Sequence, residues 1–209
     1  MPAPGVSRTK RFVFFVIPLL AAVSWGGTAA LSQVSSLDAP SEFVRQLGER
    51  TIEVLSNESY SEADRMAHYR ELLRDGFAVN TIGRFALGRH WRGATPELRE
   101  EYLALFQDFV LDIYSKRLDG FSGETFVITK SQTLDKSDTL VSTEISDGDG
   151  PPIRVDYRVR SQQGKLQIVD VLVEGISLIV TQRSEFASVI RRDGLEGLLD
   201  KLRQYTSDN

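Results

Sequence analysis

Between residues 125 and 174 the apolar side chains of this chain recur at every second position, whereas on both sides they recur at every third or fourth. A period that changes from 3.6 to 2 and back constrains the chain to fold as helices, then a sheet, then helices. The turns inside the sheet region are too short for parallel crossovers, so the strands run antiparallel and bury one face. The expected fold class is α+β, with helices packed on one face of a curved antiparallel sheet of about four strands.

Strands are expected at 125–130, 139–145, 153–160 and 166–174. The third alternates most cleanly: Ile153, Val155, Tyr157 and Val159 point one way, and Arg154, Asp156, Arg158 and Arg160 the other. Asp147-Gly148-Asp149-Gly150-Pro151-Pro152 and Gln162-Gln163-Gly164 read as turns. Before the sheet, helices are expected at 41–55, capped by Ser41, and at 61–74, where Ser61-x-x-Asp64 resembles a capping box. A short helix at 80–87 stops at Gly88. The strongest helix follows it: Thr95 caps, Pro96 takes the first position, and Glu97, Glu100 and Glu101 suit the positive end of its dipole. Lys116 and Arg117 suit the other end, and Gly120 ends it. After the sheet, helices are expected at 177–192 and 195–205, broken at Gly194.

The N-terminus is set apart. Arg8, Lys10 and Arg11 precede an apolar run from Phe12 to Val23, and small residues follow up to Ala30. This reads as a secretory signal peptide over residues 1–30, the alternative being an uncleaved anchor. A polar leader, 31–40, then precedes one domain, 41–205: helical over 41–119, sheet over 125–174, helical over 177–205. Loss of residues 1–30 removes three positive charges and takes the net charge from −4 to −7. Such a chain has no electrostatic reason to bind nucleic acid and is expected not to adhere to an anionic membrane surface. With no cysteine, disulfides and thiolate chemistry are excluded.

The search for catalytic chemistry finds little. The two histidines, His68 and His90, have no metal-ligand spacing. Asp147-Gly148-Asp149-Gly150 lacks the later ligands of a calcium loop and reads as a hairpin turn. No nucleophile elbow, phosphate-binding loop or dinucleotide fingerprint is present. Glu174, beside Gly175, is a lone acid that reads as structural. What remains is an apolar surplus: Phe106, Phe109, Val110 and Ile113 on the long helix, with Ile153, Val155, Tyr157, Val171 and Val173 on the sheet. A helix-covered sheet can enclose a ligand, or these side chains can simply pack together.

Three stretches resemble the MlaC (toluene-tolerance) family. They are Ala86-Leu87-Gly88-Arg89-His90-Trp91-Arg92 with Ala94-Thr95-Pro96-Glu97; Pro151 to Tyr157; and Asp170 to Leu178 with Arg183-Ser184-Glu185-Phe186 and Asp193 to Leu198. The likeness runs in order from about residue 40 to 203. A related branch associated with hopanoid biosynthesis shares much of the pattern.

The resemblance implies a nuclear-transport-factor-2-like sheet wrapped by helices around an apolar cavity, and a non-enzymatic periplasmic phospholipid carrier with no cofactor besides its lipid. It implies an inner-membrane ABC transporter with MCE domains and an outer-membrane lipoprotein–porin complex as partners, for a monomer. The positions it implies as tail-lining are Leu87, Phe106, Val110, Ile113, Ile153, Val155, Tyr157, Val171, Val173 and Ile176. Rival readings are a hopanoid carrier, an adaptor with a full core, and an enzyme on the same scaffold.

Overall fold

The computed structural model describes residues 37–116, 124–146 and 150–207. The expected signal peptide, residues 31–36 of the leader, Arg117, Gly120 and Asp147–Asp149 lie outside the described residues. Helices α1 (Ala39–Ser56), α2 (Glu62–Gly76), α3 (Val79–Leu87), α4 (His90–Gly93) and α5 (Pro96–Lys116) precede five strands. These are β1 (Thr125–Thr133), β2 (Asp138–Ser146), β3 (Ile153–Gln162), β4 (Lys165–Val173) and β5 (Ile176–Ser177), and helix α6 (Leu178–Ser207) closes the order. The strands form one antiparallel sheet in sequence order.

The helix ends follow local chemistry. Ser61 accepts the Asp64 N–H at 3.1 Å, and Thr95 accepts the Leu98 N–H at 3.3 Å. The first helix departs from expectation: Asp38, not Ser41, is its cap, accepting the Ser41 N–H at 2.8 Å. The shift is explained by Pro40, whose ring suits the first helical turn. Gly194 kinks α6 with φ 75°, at the break expected there.

The sheet has a fifth strand that the sequence reading did not include. Glu174 and Gly175 both adopt positive φ, 50° and 78°, the geometry of a two-residue hairpin turn. That turn returns only two residues, Ile176 and Ser177, against Val173 and Leu172, too few to show an alternating pattern. Glu174 is tied to backbone, its carboxylate accepting the Arg154 N–H at 2.7 Å and its own N–H donating to Arg154 O at 3.0 Å.

Register sets which side chains face the helices. Ile145 pairs Ile153, Val141 pairs Tyr157, and Tyr157 pairs Val171. Register shifts fall between Ile128 and Lys130 of β1 and between Arg158 and Val159 at the β3–β4 ladder. In β4 the second shift moves the helix-facing parity from Ile168 to Val171, and such bulges bend the strands they interrupt.

Among the described residues the apolar interior has three centres. The largest joins α3, α5 and α6 through Leu87, Tyr102, Phe106, Phe186 and Leu199. Another packs Val44 of α1 on Val141, Val159 and Ile168 of the sheet, and the third joins Tyr69 and Leu73 of α2 to Leu111 of α5.

The opposite face of the sheet carries charge. Asp138 is buried there and accepts Arg160 at 2.7 and 2.8 Å and Arg158 at 2.6 Å. The Arg160 guanidinium first, with Arg158, holds the Asp138 carboxyl down at about 2, against an ordinary 3.8. A depressed carboxyl contributes stability that is complete above its unfolded value and is lost as pH falls through the folded one. Asp138→Asn should therefore lower stability near neutral pH by about 2 kcal/mol, less than a fully buried pair because both arginines are partly exposed. The deficit should shrink between about pH 4 and about pH 2, as the parent loses the same interaction. Urea unfolding of both chains across that interval is the measurement; a constant deficit would show that the ion pair is not its source.

Candidate lipid-binding cavity

A cavity of about 510 Å³ lies between α1, α2 and the helix-facing side of the sheet. One helix wall comes from the α1 stripe Val44, Leu47, Thr51, Ile52 and Leu55, and the other from Tyr69, Leu72 and Leu73 of α2. The floor is Phe126, Ile145, Ile153, Tyr157 and Ile168; Glu124, Thr125, Gly150 and Pro151 complete the lining. Gly48 belongs to the α1 wall for a steric reason: a Cβ there would meet the Phe126 ring at 3.1 Å. Without a side chain at Gly48 the helix and the ring of β1 approach closely.

A second cavity of about 250 Å³ lies between α3, α5, β4 and the start of α6. Val79, Ile82, Phe106, Val110, Ile113 and Val171 are among its lining. Leu73 and Phe77 line both cavities. Phe77 also packs against all three apolar centres. Its backbone bridges to Ile168, with the Ala78 N–H donating to Ile168 O at 2.9 Å and Gln167 Nε2 donating to Phe77 O at 3.3 Å. A large ring on a pinned backbone thus stands between the two spaces.

The positions named from sequence are distributed unequally. Ile153 and Tyr157 line the larger cavity, and Phe106, Val110, Ile113 and Val171 line the smaller. Leu87, 2% exposed, is packed in the core of α3, α5 and α6. Val155 is buried, Val173 is partly buried, and both are outside the two linings. Ile176 is 64% exposed on the edge strand and lines neither. The α1 and α2 walls and Phe77 were not named as tail-lining. For α1 a signal lies in the sequence, where Val44, Leu47 and Leu55 recur at helical spacing.

The chemistry of the larger cavity is that of an apolar container with few polar atoms. The Thr51 hydroxyl is turned back to Leu47 O at 2.8 Å. Burial pushes the Tyr157 hydroxyl up to about 12, keeping it protonated. Among the described residues that hydroxyl has no hydrogen-bond partner in the protein, so it is a donor available to a ligand. Among the described residues no group of His, Cys, Asp or Glu is arranged to hold a metal ion. His68 lies in a separate polar pocket with Glu71 and Asp75, away from the cavity lining.

Comparison with known proteins places this geometry in context. The intermembrane phospholipid transport system binding protein MlaC of Haemophilus influenzae is 20% identical over 129 residues, 60% of this chain and 60% of that protein. The toluene tolerance protein ttg2D of Pseudomonas putida is 23% identical over 113 residues, 54% of this chain and 52% of its own length. The chain thus spans between about half and three fifths of these curated relatives. A phospholipid-binding protein of Ralstonia solanacearum, solved in complex with a phospholipid, shares the fold. Its TM-score is 0.70 at 20% identity, covering 81% of this chain and 97% of that one. The family model described as MlaC protein matches residues 45–204, from the helix that walls the larger cavity almost to the end of α6, and the chain belongs to that family.

Proposed function

We propose that this chain is a periplasmic phospholipid carrier, the soluble component of an Mla-type transport system, holding the acyl tails in its interior with the headgroup outside. The observation that carries the reading is the larger cavity, about 510 Å³, walled by apolar side chains of α1, α2 and four strands. That size falls in the range of ligand sites. Among the described residues its lining holds a single carboxylate, Glu124, and no histidine; the proposed role is binding and release of the lipid.

The energetics define the task. Moving an acyl chain from bilayer to water costs about 0.8 kcal/mol per methylene. Two chains of about a dozen methylenes therefore meet a barrier on the order of 20 kcal/mol. An apolar cavity removes most of that barrier, because the tails pass between two apolar media. Net transfer is then close to neutral, and direction comes from partners: an inner-membrane MCE-domain ABC complex and an outer-membrane lipoprotein–porin complex. Because tails make most of the contact, headgroup selectivity should be weak.

Native mass spectrometry of protein taken from a periplasmic extract, with lipid extraction of the same sample, tests the reading. A stoichiometric diacyl phospholipid is expected. A hopanoid would reassign the cargo, and a folded protein without lipid would support an adaptor with an unused cavity.

A further inference from the structure

Arg84, Arg89, Arg92, Arg99 and Arg183 gather on one surface where α3, α4, the start of α5 and the start of α6 meet. The guanidiniums of Arg84 and Arg99 rest on the Trp91 ring, 5.2 and 5.3 Å from its centroid. Arg183 rests on Phe85 at 5.2 Å. Gly88 makes this approach possible: its φ is 60°, and a Cβ there would stand 2.8 Å from Arg183 Nε. Arg99 is anchored to backbone, donating to Trp91 O at 2.9 Å and Arg92 O at 3.2 Å. Arg84, Phe85, Arg89, Arg92 and Arg183 are exposed.

None of these arginines forms an ion pair among the described residues. Several arginines elsewhere are matched with carboxylate: Arg158 and Arg160 with Asp138, Arg154 with Asp156, Arg203 with Glu101. Three acids, Glu97, Glu100 and Glu185, lie on the same segments; Glu97 and Glu185 are hydrogen-bonded to the neutral Thr95 and Gln182, so five arginines face three carboxylates. An acidic chain thus keeps, among the described residues, a surface with an excess of arginine that is not tied up in ion pairs.

We propose that this surface is a docking face for an anionic phospholipid bilayer. Positive charge supplies attraction to anionic headgroups within a Debye length. The net charge of −4 repels the remainder, so that only this face approaches. Phe85, 44% exposed, and Val180, 51% exposed and three residues before Arg183, supply shallow apolar contact. Two such side chains are too few for the dry centre of a protein interface of about 800 Å² per partner, but they suit the headgroup boundary. The inner sides of the same elements, Ile82 and Ala86 of α3 and Ile179 and Gln182 of α6, line the smaller cavity. Docking would bring that end of the interior to the membrane.

The test is co-sedimentation of the purified protein with vesicles of phosphatidylcholine containing about one third phosphatidylglycerol, and with pure phosphatidylcholine vesicles. Binding to the anionic vesicles alone, weakened by salt, is expected. Arg89→Gln/Arg92→Gln/Arg183→Gln, which leaves Arg84 and Arg99 on Trp91, should bind at least about tenfold more weakly. Native mass spectrometry of the same variant should show its lipid cargo unchanged, which separates docking from carriage. Equal binding to both vesicles, no binding to either, or an unweakened variant overturns the proposal. Binding to soluble polyglutamate but not to vesicles overturns it in favour of an acidic protein partner.

Discussion

Ile52→Glu is expected to purify folded and nearly free of lipid, and Ile153→Glu to behave similarly with a smaller loss. Both residues line the larger cavity, yet neither belongs to one of the apolar centres that hold the fold together. Ile52 is half-buried on α1; Ile153 is 52% exposed at the start of β3. A carboxylate at position 52 would face acyl chains without a partner, at a cost of several kcal/mol. Since about 1.4 kcal/mol is tenfold in affinity, occupancy should fall by at least about tenfold. At position 153 the carboxylate can turn toward water, so the loss is less. Ile176→Glu is the control, because Ile176 is 64% exposed and lines neither cavity. Lipid extracted per mole of folded protein separates the three. Full lipid in a folded Ile52→Glu protein would remove the α1–α2 cavity from the tail-binding path. Lipid loss in Ile176→Glu would instead point to a site at the β5 edge.

The sequence showed more of the fold than of the site, for physical reasons. Helix ends are local: Thr95, Pro96 and Ser61 act within one turn. Alternation in β3 is local too, and the register confirms that Ile153 and Tyr157 share a face with Ile145 and Val141. In β4 the alternation is broken, because the register shift near Val169 places Ile168 and Val171 on the helix side. Which wall encloses empty space is not local. The apolar side chains of α5 are largely used in packing Tyr102 and Phe106 against Leu87, Phe186 and Leu199. On α1 Gly48 lies in the apolar face, and the missing side chain there admits Phe126 from nearly eighty residues away.

Phe77→Ala should join the two cavities into one and shift the co-purified lipid toward longer acyl chains. The argument begins with backbone: Phe77 follows the last residue of α2, and its bridge to Ile168 fixes where the ring points. Gly76 beside it cannot carry a side chain without cost, since a Cβ would meet Leu47 Cδ2 at 2.7 Å. The ring is therefore held between a helix wall and the sheet, and the chain has little freedom to move it aside. Truncation removes contacts with all three apolar centres, so stability should fall by about 3 kcal/mol, the low end for a core Phe because part of the ring faces open volume. Phe77→Trp should act oppositely on cargo, since a larger ring narrows the passage, with a strain cost of about 1–3 kcal/mol. Lipid mass spectrometry reads the acyl-length distribution, and denaturant unfolding reads stability. A distribution that moves in opposite directions in the two variants would identify Phe77 as the divider that measures the tails. If the distribution is unchanged in both while stability falls, Phe77 serves the fold alone, and the smaller cavity lies outside the space that the lipid occupies.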